Sequence, residues 1–401
     1  MPSTPPAVTS PGPPTARAPG RPWAAVLVLA AATFSVVTTE MLPVGLLTSL
    51  AADLRVTTGG AGLALTLPGL VAAVGALLLP VAVRGTDRRT VLCALLLLLA
   101  AADLLSALAP ALPVLLAARV LVGVCIGGVW AVAAGLAVRL VPTASVGRAT
   151  ALIFSGIAVA SVLGVPVGTF LGSVSGWRWA FAGTAACALA VAGCLAVVLP
   201  PLPAERPVLP SAFVRLLRAP RLGLGLVTVA LLVTGHFTAY TYVRPLLERV
   251  PGTGPALVST LLLAYGVAGI AGNFAGGTLA ARDPRRALLV LSAALGTAVL
   301  LLVFAADSLP ASTALLVSWG LAYGGVSVSA QTWLSTTAPH SREAGSALFA
   351  GVFNTAIALG AFTGGRLTDG PGPTAVLCLG AGLALLAAAV AAYADRTADG
   401  R

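Results

Sequence analysis

Two side chains that can carry a charge stand inside apolar stretches of the sequence, Glu40 and Arg119. Glu40 lies about 16 residues into its stretch, or roughly 24 Å at the helical rise of 1.5 Å per residue. Burial disfavours the charged form of a carboxyl group, so Glu40 suits reversible proton binding. Arg119 keeps its charge and needs a carboxylate, carbonyl or water partner. We expect a Glu40–Arg119 interaction that protonation of Glu40 weakens; the alternatives are an interfacial carboxylate and a static structural pair.

The elements that position these residues are apolar stretches separated by short loops. Of the 401 residues, 58% are hydrophobic and 9% are charged, and the mean hydropathy is +1.01. A bilayer core about 30 Å thick is crossed by about 20 helical residues, and a lipid-exposed backbone must satisfy its hydrogen bonds internally. Period-2 alternation is absent, so we predict an all-α membrane protein with twelve transmembrane helices. The predicted spans are 24–50, 59–83, 90–109, 112–138, 147–174, 177–199, 222–246, 254–281, 287–306, 310–336, 343–368 and 372–393.

The basic residues lie mainly in alternate loops. One set of loops holds Arg84, Arg88, Arg89, Arg139, Arg148, Arg206, Arg215, Arg218, Arg221, Arg282, Arg285, Arg286 and Arg342; the other holds Arg55, Arg178, Arg249 and Arg366. The positive-inside rule then places both termini in the cytoplasm. The net charge of +11 therefore predicts contact with the lipid bilayer rather than with nucleic acid. All basic residues are arginine, which favours a GC-rich bacterial genome and a bacterial inner (cytoplasmic) membrane.

A proline-rich connection divides the predicted spans six and six. An offset of 196 residues relates Asp87 to Asp283, and it also relates five small or apolar positions of the fifth span to the eleventh. We predict two pseudo-symmetric six-helix bundles that rock around a central site. The predicted units are a cytoplasmic tail over 1–22, bundles over 23–199 and 222–393, a cytoplasmic linker over 200–221 and a cytoplasmic tail over 394–401. We expect a monomer.

Helix-bending and close-packing residues mark places where the conformation could change. Pro43 follows Glu40, and in the fifth span Gly164, Gly168 and Gly172 recur every four residues around Pro166. Such a glycine face lets helices approach closely. It would serve as plain packing, or as a hinge or a seam between the two halves.

The polar and aromatic residues within the spans favour a planar, uncharged ligand. Aromatic rings stack, and amide groups pair with base edges and hydroxyl groups. The candidate substrate-binding residues are Trp130, His236, Tyr240, Tyr242, Asn273, Gln331 and Asn354. Tryptophan and tyrosine also form belts at membrane interfaces, which is the alternative, and His236 would alternatively be a packed neutral histidine. Asp103 and Asp307, near span ends, are expected to be interfacial.

Several further classes of function are disfavoured. The five cysteines lie in apolar spans without metal-ligand spacing, so we expect no metal and no cofactor. No phosphate-binding loop of a primary pump occurs, and the two histidines form no HExxH pair. We therefore expect no catalytic residues and no enzyme.

Several motifs resemble the major facilitator superfamily, in particular its twelve-span drug:proton antiporter family 1. They are Thr39-Glu40-Met41-Leu42-Pro43, Gly85-Thr86-Asp87-Arg88-Arg89, Arg119 with Gly123, Gly164-Val165-Pro166-Val167-Gly168, and Gly176-Trp177-Arg178-Trp179. Within that family, Arg119–Pro142 and Thr241-Tyr242-Val243-Arg244-Pro245 are most similar to purine ribonucleoside efflux permeases. The resemblance implies conformational roles for Asp87 and Arg88, although Val83-Arg84-Gly85-Thr86 departs from the usual loop signature.

The sequence and the resemblance together predict a proton-coupled secondary efflux transporter. Its partners would be protons and a small uncharged organic solute, with purine nucleosides as the first candidates. A multidrug or chloramphenicol-type exporter and a sugar exporter are the alternatives within transport. A membrane receptor or scaffold without transport is the alternative of a different class.

Overall fold

The computed structural model describes residues 21–83, 85–142, 145–203, 220–305, 307–337 and 342–399. These residues form fourteen α-helices and no strand. The helices are α1 (Arg21–Asp53), α2 (Thr58–Ala82), α3 (Arg88–Ala107), α4 (Leu112–Leu140), α5 (Val146–Val174), α6 (Trp177–Val198), α7 (Pro220–Tyr240), α8 (Val243–Leu247), α9 (Pro255–Arg282), α10 (Pro284–Leu301), α11 (Leu309–Gly324), α12 (Val326–Thr337), α13 (Arg342–Asp369) and α14 (Pro373–Asp399).

Twelve spans among these residues are long and apolar enough to cross a membrane, as the hydropathy pattern predicts. They are α1 to α7, α9, α10, the pair α11–α12, α13 and α14. Most of the predicted tail over 1–22 and linker over 200–221 lies outside the described residues. At the other end of the chain, α14 continues to Asp399, beyond the predicted boundary at 393.

Two predicted spans are interrupted. The seventh was expected to run to 246, but α7 ends at Tyr240 and the short helix α8 follows. Pro245 is the physical reason, because a proline ring clashes with the carbonyl group four residues earlier and cannot donate a main-chain hydrogen bond. The tenth span is divided between α11 and α12 at Gly324 and Gly325, and paired glycines are a common site of helix kinks.

The helix pairs that pack together repeat between the two halves. In the first half, α1 packs on α5, α2 on α4 and α3 on α6. In the second half, the corresponding spans pair as α7 with α13, α9 with α11 and α10 with α14. The same three pairings therefore build two pseudo-symmetric bundles, in agreement with the repeat predicted from sequence.

The offset of 196 residues relates two equivalent helix starts. Asp87 caps α3 by accepting hydrogen bonds from the amides of Arg89 (2.8 Å) and Thr90 (3.3 Å). Asp283 caps α10 by accepting from the amides of Arg285 (3.0 Å) and Arg286 (3.1 Å). A carboxylate at this position satisfies otherwise unpaired amides and interacts favourably with the helix dipole.

The contact that Asp87 and its neighbour Arg88 make with the rest of the protein lies within the first half. The second carboxylate oxygen of Asp87 accepts from the Leu202 amide at 2.6 Å, and the Arg88 amide donates to the Leu202 carbonyl at 2.9 Å. These bonds tie the start of α3 to the segment that follows α6. We call this end of the molecule, with residues 83, 85–87, 199–203 and 283, the Asp87 end.

The opposite end carries residues 54–57, 175–176, 248–254 and 369–372, and we call it the Asp369 end. The two bundles meet mainly through α2 with α13 and α5 with α9. At the second contact, a Cβ atom on Gly266 of α9 would lie 2.7 Å from the Cα of Val162 on α5. Only glycine permits this approach of the two helices.

The glycine face of α5 does not form that seam. A Cβ atom on Gly164 would lie 3.5 Å from the Cα of Thr38, and one on Gly168 would meet the side chain of Leu42, so the face packs on α1 within the first bundle. The expectation of a seam between the halves on this face is wrong, whereas the close packing expected together with it is observed. Spacing by four residues defines one helix face but does not say which neighbour covers it.

Candidate functional site

Arg119 is the centre of a polar cluster inside the first bundle. It lies on α4 and is completely buried. Its Nε donates to the Ala64 carbonyl at 2.9 Å, and its Nη2 donates to the carbonyls of Thr39 (3.0 Å) and Glu40 (3.3 Å). Its Nη1 has no hydrogen-bond partner within the described part of the chain. Main-chain oxygen atoms of α1 and α2 therefore hold the guanidinium group in place.

Glu40 is brought next to Arg119, but not as a side-chain ion pair. The residue is buried, with 4% of its surface exposed, and its carboxyl group is within electrostatic reach of Arg119. Among the described residues its Oε1 has no hydrogen-bond partner, and no Arg119 nitrogen lies within 4.0 Å of the carboxylate. The interaction expected between the two side chains is replaced here by the bond from Arg119 to the Glu40 carbonyl.

Asp103 belongs to the same cluster, contrary to the expectation of an interfacial position. It is fully buried on α3 and accepts a hydrogen bond from the Thr39 hydroxyl at 2.7 Å. It is also within electrostatic reach of Arg119. The neighbours α4 and α6 cover the face of α3 that carries it. Asp307, by contrast, is exposed at the Asp369 end, as expected.

A cluster of aromatic rings lies in the second bundle. His236 of α7 stacks on Tyr323 with ring centroids 3.4 Å apart and on Tyr240 with centroids 5.0 Å apart. Trp319 meets the His236 ring at an angle of 76°, and Tyr265 stacks on Tyr240 at 4.9 Å. We call these five residues the aromatic cluster. Three helices, α7, α9 and α11, supply it.

The hydrogen bond within the aromatic cluster fixes the state of His236. The Trp319 Nε1 donates to the His236 Nδ1 at 3.0 Å. Because an indole nitrogen can only donate, the Nδ1 atom must present a lone pair, and the imidazole is neutral with its proton on Nε2. The packed neutral histidine is therefore the form that fits this geometry.

The polar cluster and the aromatic cluster face each other across the boundary between the bundles. Val37, Met41 and Val44 of α1 join the same apolar core as Tyr240 of the second bundle. Glu40 lies three and four residues from Val37 and Val44, so it shares their helix face. Its carboxyl group is within electrostatic reach of Tyr323. Glu40 is thus the acidic side chain at the junction of the two clusters.

The other candidate substrate residues do not join the aromatic cluster. Tyr242 is buried near the Asp369 end, where its hydroxyl donates to the Ala361 carbonyl at 2.8 Å. Asn354 is buried on α13 and donates from Nδ2 to the Ala350 carbonyl at 2.9 Å. Trp130 packs on the core of the first bundle. Asn273 is half-buried on α9, and Gln331 is exposed on α12.

Hydrogen bonds join the two bundles at the Asp369 end. Asp369 of α13 accepts from the Thr57 hydroxyl at 2.6 Å and from the Gly59 amide at 2.9 Å. Glu248 accepts from the Thr48 hydroxyl at 2.9 Å. We call these contacts, together with those of Arg244 described next, the latch.

Arg244 completes the latch. Its Nε donates to Glu248 Oε1 at 2.7 Å, and its Nη1 donates to the Gly45 carbonyl on α1. Gly62 leaves room for Tyr242, whose hydroxyl would collide with any Cβ atom at that position. The family resemblance drew attention to Tyr242 and Arg244 but not to Asp369.

Some of the site could have been recognised in the sequence. Asp103 stands 15 residues after Arg88, the start of α3, or roughly 22 Å at 1.5 Å per residue. That depth is comparable to the depth of Glu40 and is a signal of a functional carboxyl group. Trp319 and Tyr323 belong to the aromatic residues of the spans that favour a stacking ligand, whereas Tyr265 carried no signal. The grouping of all three around His236 depends on tertiary packing.

Among the described residues, no three histidine, cysteine, aspartate or glutamate side chains group as metal ligands do. The five cysteines are free rather than paired in disulfides.

Two repeated six-helix bundles, with a buried acidic side chain where they meet, are the architecture of secondary membrane transporters. The sequence matches the Major Facilitator Superfamily over residues 29–361 and 251–400. The chain belongs to this superfamily, whose members are transporters rather than enzymes.

Relatives and solved structures are similar over most of the chain. The purine ribonucleoside efflux pump NepI of Salmonella paratyphi A is 33% identical over 375 residues, which is 92% of this chain and 93% of that protein. The transcription regulatory protein OpdE of Pseudomonas aeruginosa is 35% identical over 370 residues, covering 91% and 92%.

The fold is that of solved transporters. A bacterial homologue of the human lysosomal transporter Spinster, in an inward-facing and unoccupied conformation, has a TM-score of 0.76 at 16% identity, covering 95% of this chain and 98% of that one. The human organic anion transporter MFSD10 has a TM-score of 0.66 at 18% identity, covering 94% and 100%.

Proposed function

We propose that the protein is a proton-coupled efflux transporter for a small uncharged planar solute, with purine nucleosides as the first candidates. The observation that carries the proposal is the position of Glu40, buried at the junction of the polar and aromatic clusters. A carboxyl group there can respond both to a proton and to a substrate in the second bundle.

Glu40 is proposed as the proton carrier and Arg119 as the charge that senses it. When Glu40 is ionised, its carboxylate attracts the guanidinium group, whose Nη1 has no partner among the described residues. When Glu40 binds a proton, that attraction is lost and Arg119 rests on main-chain carbonyls, as in the geometry found here. Pro43, one turn along α1, would let the helix bend between the two arrangements.

The aromatic cluster is the proposed substrate platform. Its rings now stack on one another, and a planar base could replace one of those ring contacts at little cost because the stacking interactions are similar. Asn273, Asn354 and Gln331 would supply amide groups on the neighbouring spans, and Trp130 an additional ring from the first bundle. The relative from Salmonella paratyphi A is named as a purine ribonucleoside efflux pump, which supports testing these compounds first.

The transport cycle is proposed to be alternating access, with the latch as the closed gate. The positively charged loops at the Asp87 end support a cytoplasmic location for that end and for both termini. The Asp369 end then faces outward, and the latch holds it shut in this conformation. Asp87, Arg88, Gly164, Pro166 and Gly168 would shape how each bundle moves as a unit, through the contacts described above.

The entry of one proton per exported neutral solute is a sufficient driving force for transport against a gradient. A membrane potential supplies about 2.3 kcal/mol per charge per 100 mV. Since 1.4 kcal/mol is a factor of ten, this sustains a solute gradient of roughly fortyfold before any pH difference is added. We propose that the monomer performs this cycle in the bacterial inner membrane.

A second candidate function is a membrane regulator without transport. The Pseudomonas aeruginosa relative is named as a transcription regulatory protein, which favours this second candidate. Chloramphenicol-type drugs and sugars are the alternative substrates within the transport proposal.

The test is a substrate panel in inside-out vesicles with an imposed pH gradient. Radiolabelled inosine, adenosine, chloramphenicol and a disaccharide are offered in turn, and internal pH is followed with a fluorescent probe. The proposal expects nucleoside accumulation that collapses with a protonophore and is accompanied by proton efflux. Accumulation of none of these compounds, in vesicles that contain the folded protein, would favour the regulator instead.

A further inference from the structure

The charges of the polar cluster do not balance if every group is ionised. Arg119 carries one positive charge, while Glu40 and Asp103 could carry two negative charges between them. All three residues are buried, with at most 4% of their surface exposed. An uncompensated charge is expensive in such a place. One of the two carboxyl groups therefore holds a proton while the cluster is closed to water.

Hydrogen bonding distinguishes the two carboxyl groups. One oxygen of each carboxyl group, Glu40 Oε1 and Asp103 Oδ1, has no partner among the described residues. The difference is that Asp103 Oδ2 accepts from the Thr39 hydroxyl at 2.7 Å, and a donated hydrogen bond favours the ionised form of a carboxyl group. The Thr184 hydroxyl of α6 donates to the Phe181 carbonyl at 2.9 Å, so Thr39 is the side-chain donor that the structure gives to Asp103. The Glu40 carboxyl group accepts no hydrogen bond from the described residues. The geometry therefore leaves the negative charge on Asp103 and the proton on Glu40.

We propose that Asp103 is the standing counter-ion of Arg119, so that proton uptake and release during transport fall on Glu40 alone. This inference rests on the proposed proton-coupled function and assigns to Asp103 the role of a positioning residue. With one negative charge already matched to Arg119, Glu40 is free to exchange its proton. Without Asp103, Glu40 would become the only carboxylate available to Arg119 and would keep its charge.

Thr39 couples the two carboxyl groups mechanically. Its hydroxyl donates to Asp103 and its carbonyl accepts from Arg119 at 3.0 Å. It is also the residue that precedes Glu40 on α1. A displacement of α1 on ionisation of Glu40 would therefore move the contacts of both Asp103 and Arg119.

The surroundings of Asp103 leave few other groups to titrate. Of the elements packed on α3, α1 presents Thr39 and α4 presents Arg119 and Cys125, and Glu40 is linked to Asp103 through Arg119, which lies within electrostatic reach of both. On α6 the nearest polar groups are Thr184, whose hydroxyl donates to the Phe181 carbonyl at 2.9 Å, and Cys187, which lies 3.6 Å from the hydroxyl of Ser35 on α1.

The test is the pH dependence of substrate exchange in proteoliposomes, with equal pH on both sides and no membrane potential. In Asp103→Asn, the pH midpoint of exchange is expected to move down by about one to three pH units, since Glu40 then pairs with Arg119. Asp103→Glu should restore the midpoint toward that of the unmodified protein. Thr39→Val, which removes the donor to Asp103, should move it in the same direction as Asp103→Asn but less.

The matched control is Asp307→Asn, the same chemical change at an exposed carboxylate in the second half, which should leave the midpoint in place. An unchanged midpoint in Asp103→Asn, in protein that elutes as a single species, would overturn the inference. If that variant is not recovered, Thr39→Val decides, because an unchanged midpoint there contradicts a charged Asp103. If exchange by the unmodified protein does not depend on pH, the proposed proton coupling is refuted instead. Failure of the Asp103 inference is thus distinguished from failure of the proposed function.

Discussion

Replacing Asp369 with alanine removes the two acceptors that hold the start of α2 against α13. In the native chain its carboxylate accepts from the Thr57 hydroxyl at 2.6 Å and from the Gly59 amide at 2.9 Å. Thr57 also caps α2 by accepting from the Gly60 amide at 3.0 Å, so the helix start stays intact when Asp369 is lost. The change therefore acts on the contact between the bundles rather than on either bundle alone.

The expected effect is a larger population of molecules open at the Asp369 end. Hydrogen bonds to a charged group contribute about 1.5–3 kcal/mol each when buried, and exposure at this end reduces that to about 1 kcal/mol. Two such bonds give about 2 kcal/mol, which changes the open-to-closed ratio about 30-fold. If the state open at the Asp369 end has a population of about 1% in the native chain, its population would rise to about 20%.

The assay is a distance measurement between spin labels on the two bundles. Cysteines at the exposed positions Ser175 and Pro251 report across the Asp369 end, in a background in which the five native cysteines are replaced. Double electron–electron resonance should show a longer distance component that grows in Asp369→Ala. Asp307→Ala, an exposed aspartate at the same end, is the matched control and should keep the native distribution. An unchanged distribution in Asp369→Ala would refute the view that these bonds hold the end closed.

Two further changes test packing within the bundles. Gly168→Leu should displace α1, which carries Glu40, at Leu42 and lower the transport rate, since overpacking costs about 1–3 kcal/mol. Gly183→Leu, where a side chain meets open space, is the control, and equal turnover in both would contradict the packing account. Trp319→Phe keeps a ring but leaves the His236 Nδ1 without its donor, so the melting temperature should fall by a few degrees because an unsatisfied buried acceptor costs about 1–3 kcal/mol. Thermal unfolding unchanged by that substitution would mean that the bond contributes nothing to stability.

The spans and the repeat could be predicted because they follow from local rules. Hydropathy and helical rise set the length of a span, and an internal offset of 196 residues related Asp87 to Asp283, which the structure places at equivalent helix starts. The break before α8 was also encoded locally, since Pro245 cannot continue a helix through residue 241. It was missed because the apolar stretch continues across it.

The site was predicted less well, because it depends on which helix faces meet. Glu40 and Arg119 were recognised as costly charges inside spans, and they do lie together. Their contact, however, runs through main-chain carbonyls, which no side-chain pattern reveals. Asp103 was assigned to the interface from its place near the end of α3, although its side chain lies on the buried face of that end, beside the exposed Leu104 and Leu105.

The aromatic residues illustrate the same limit. His236 and Tyr240 were selected as single residues of α7, and their partners Trp319 and Tyr323 come from a helix more than 70 residues later in the chain. Tyr242, only two residues after Tyr240, lies outside that cluster and near the Asp369 end, where its hydroxyl donates to the Ala361 carbonyl. Residues two positions apart do not share a helix face, so neighbours in the sequence need not belong to the same cluster.

The most direct test of the central claim, that Glu40 carries the transported proton, compares two modes of transport in Glu40→Gln. The neutral amide keeps the shape of the side chain and removes its titration. In inside-out vesicles with an imposed pH gradient, the variant should fail to accumulate substrate, while it still exchanges labelled for unlabelled substrate at equal pH. Asp307→Asn should accumulate substrate as the native protein does. Accumulation by Glu40→Gln against a gradient, at the native level and with matched amounts of protein, would contradict the claim.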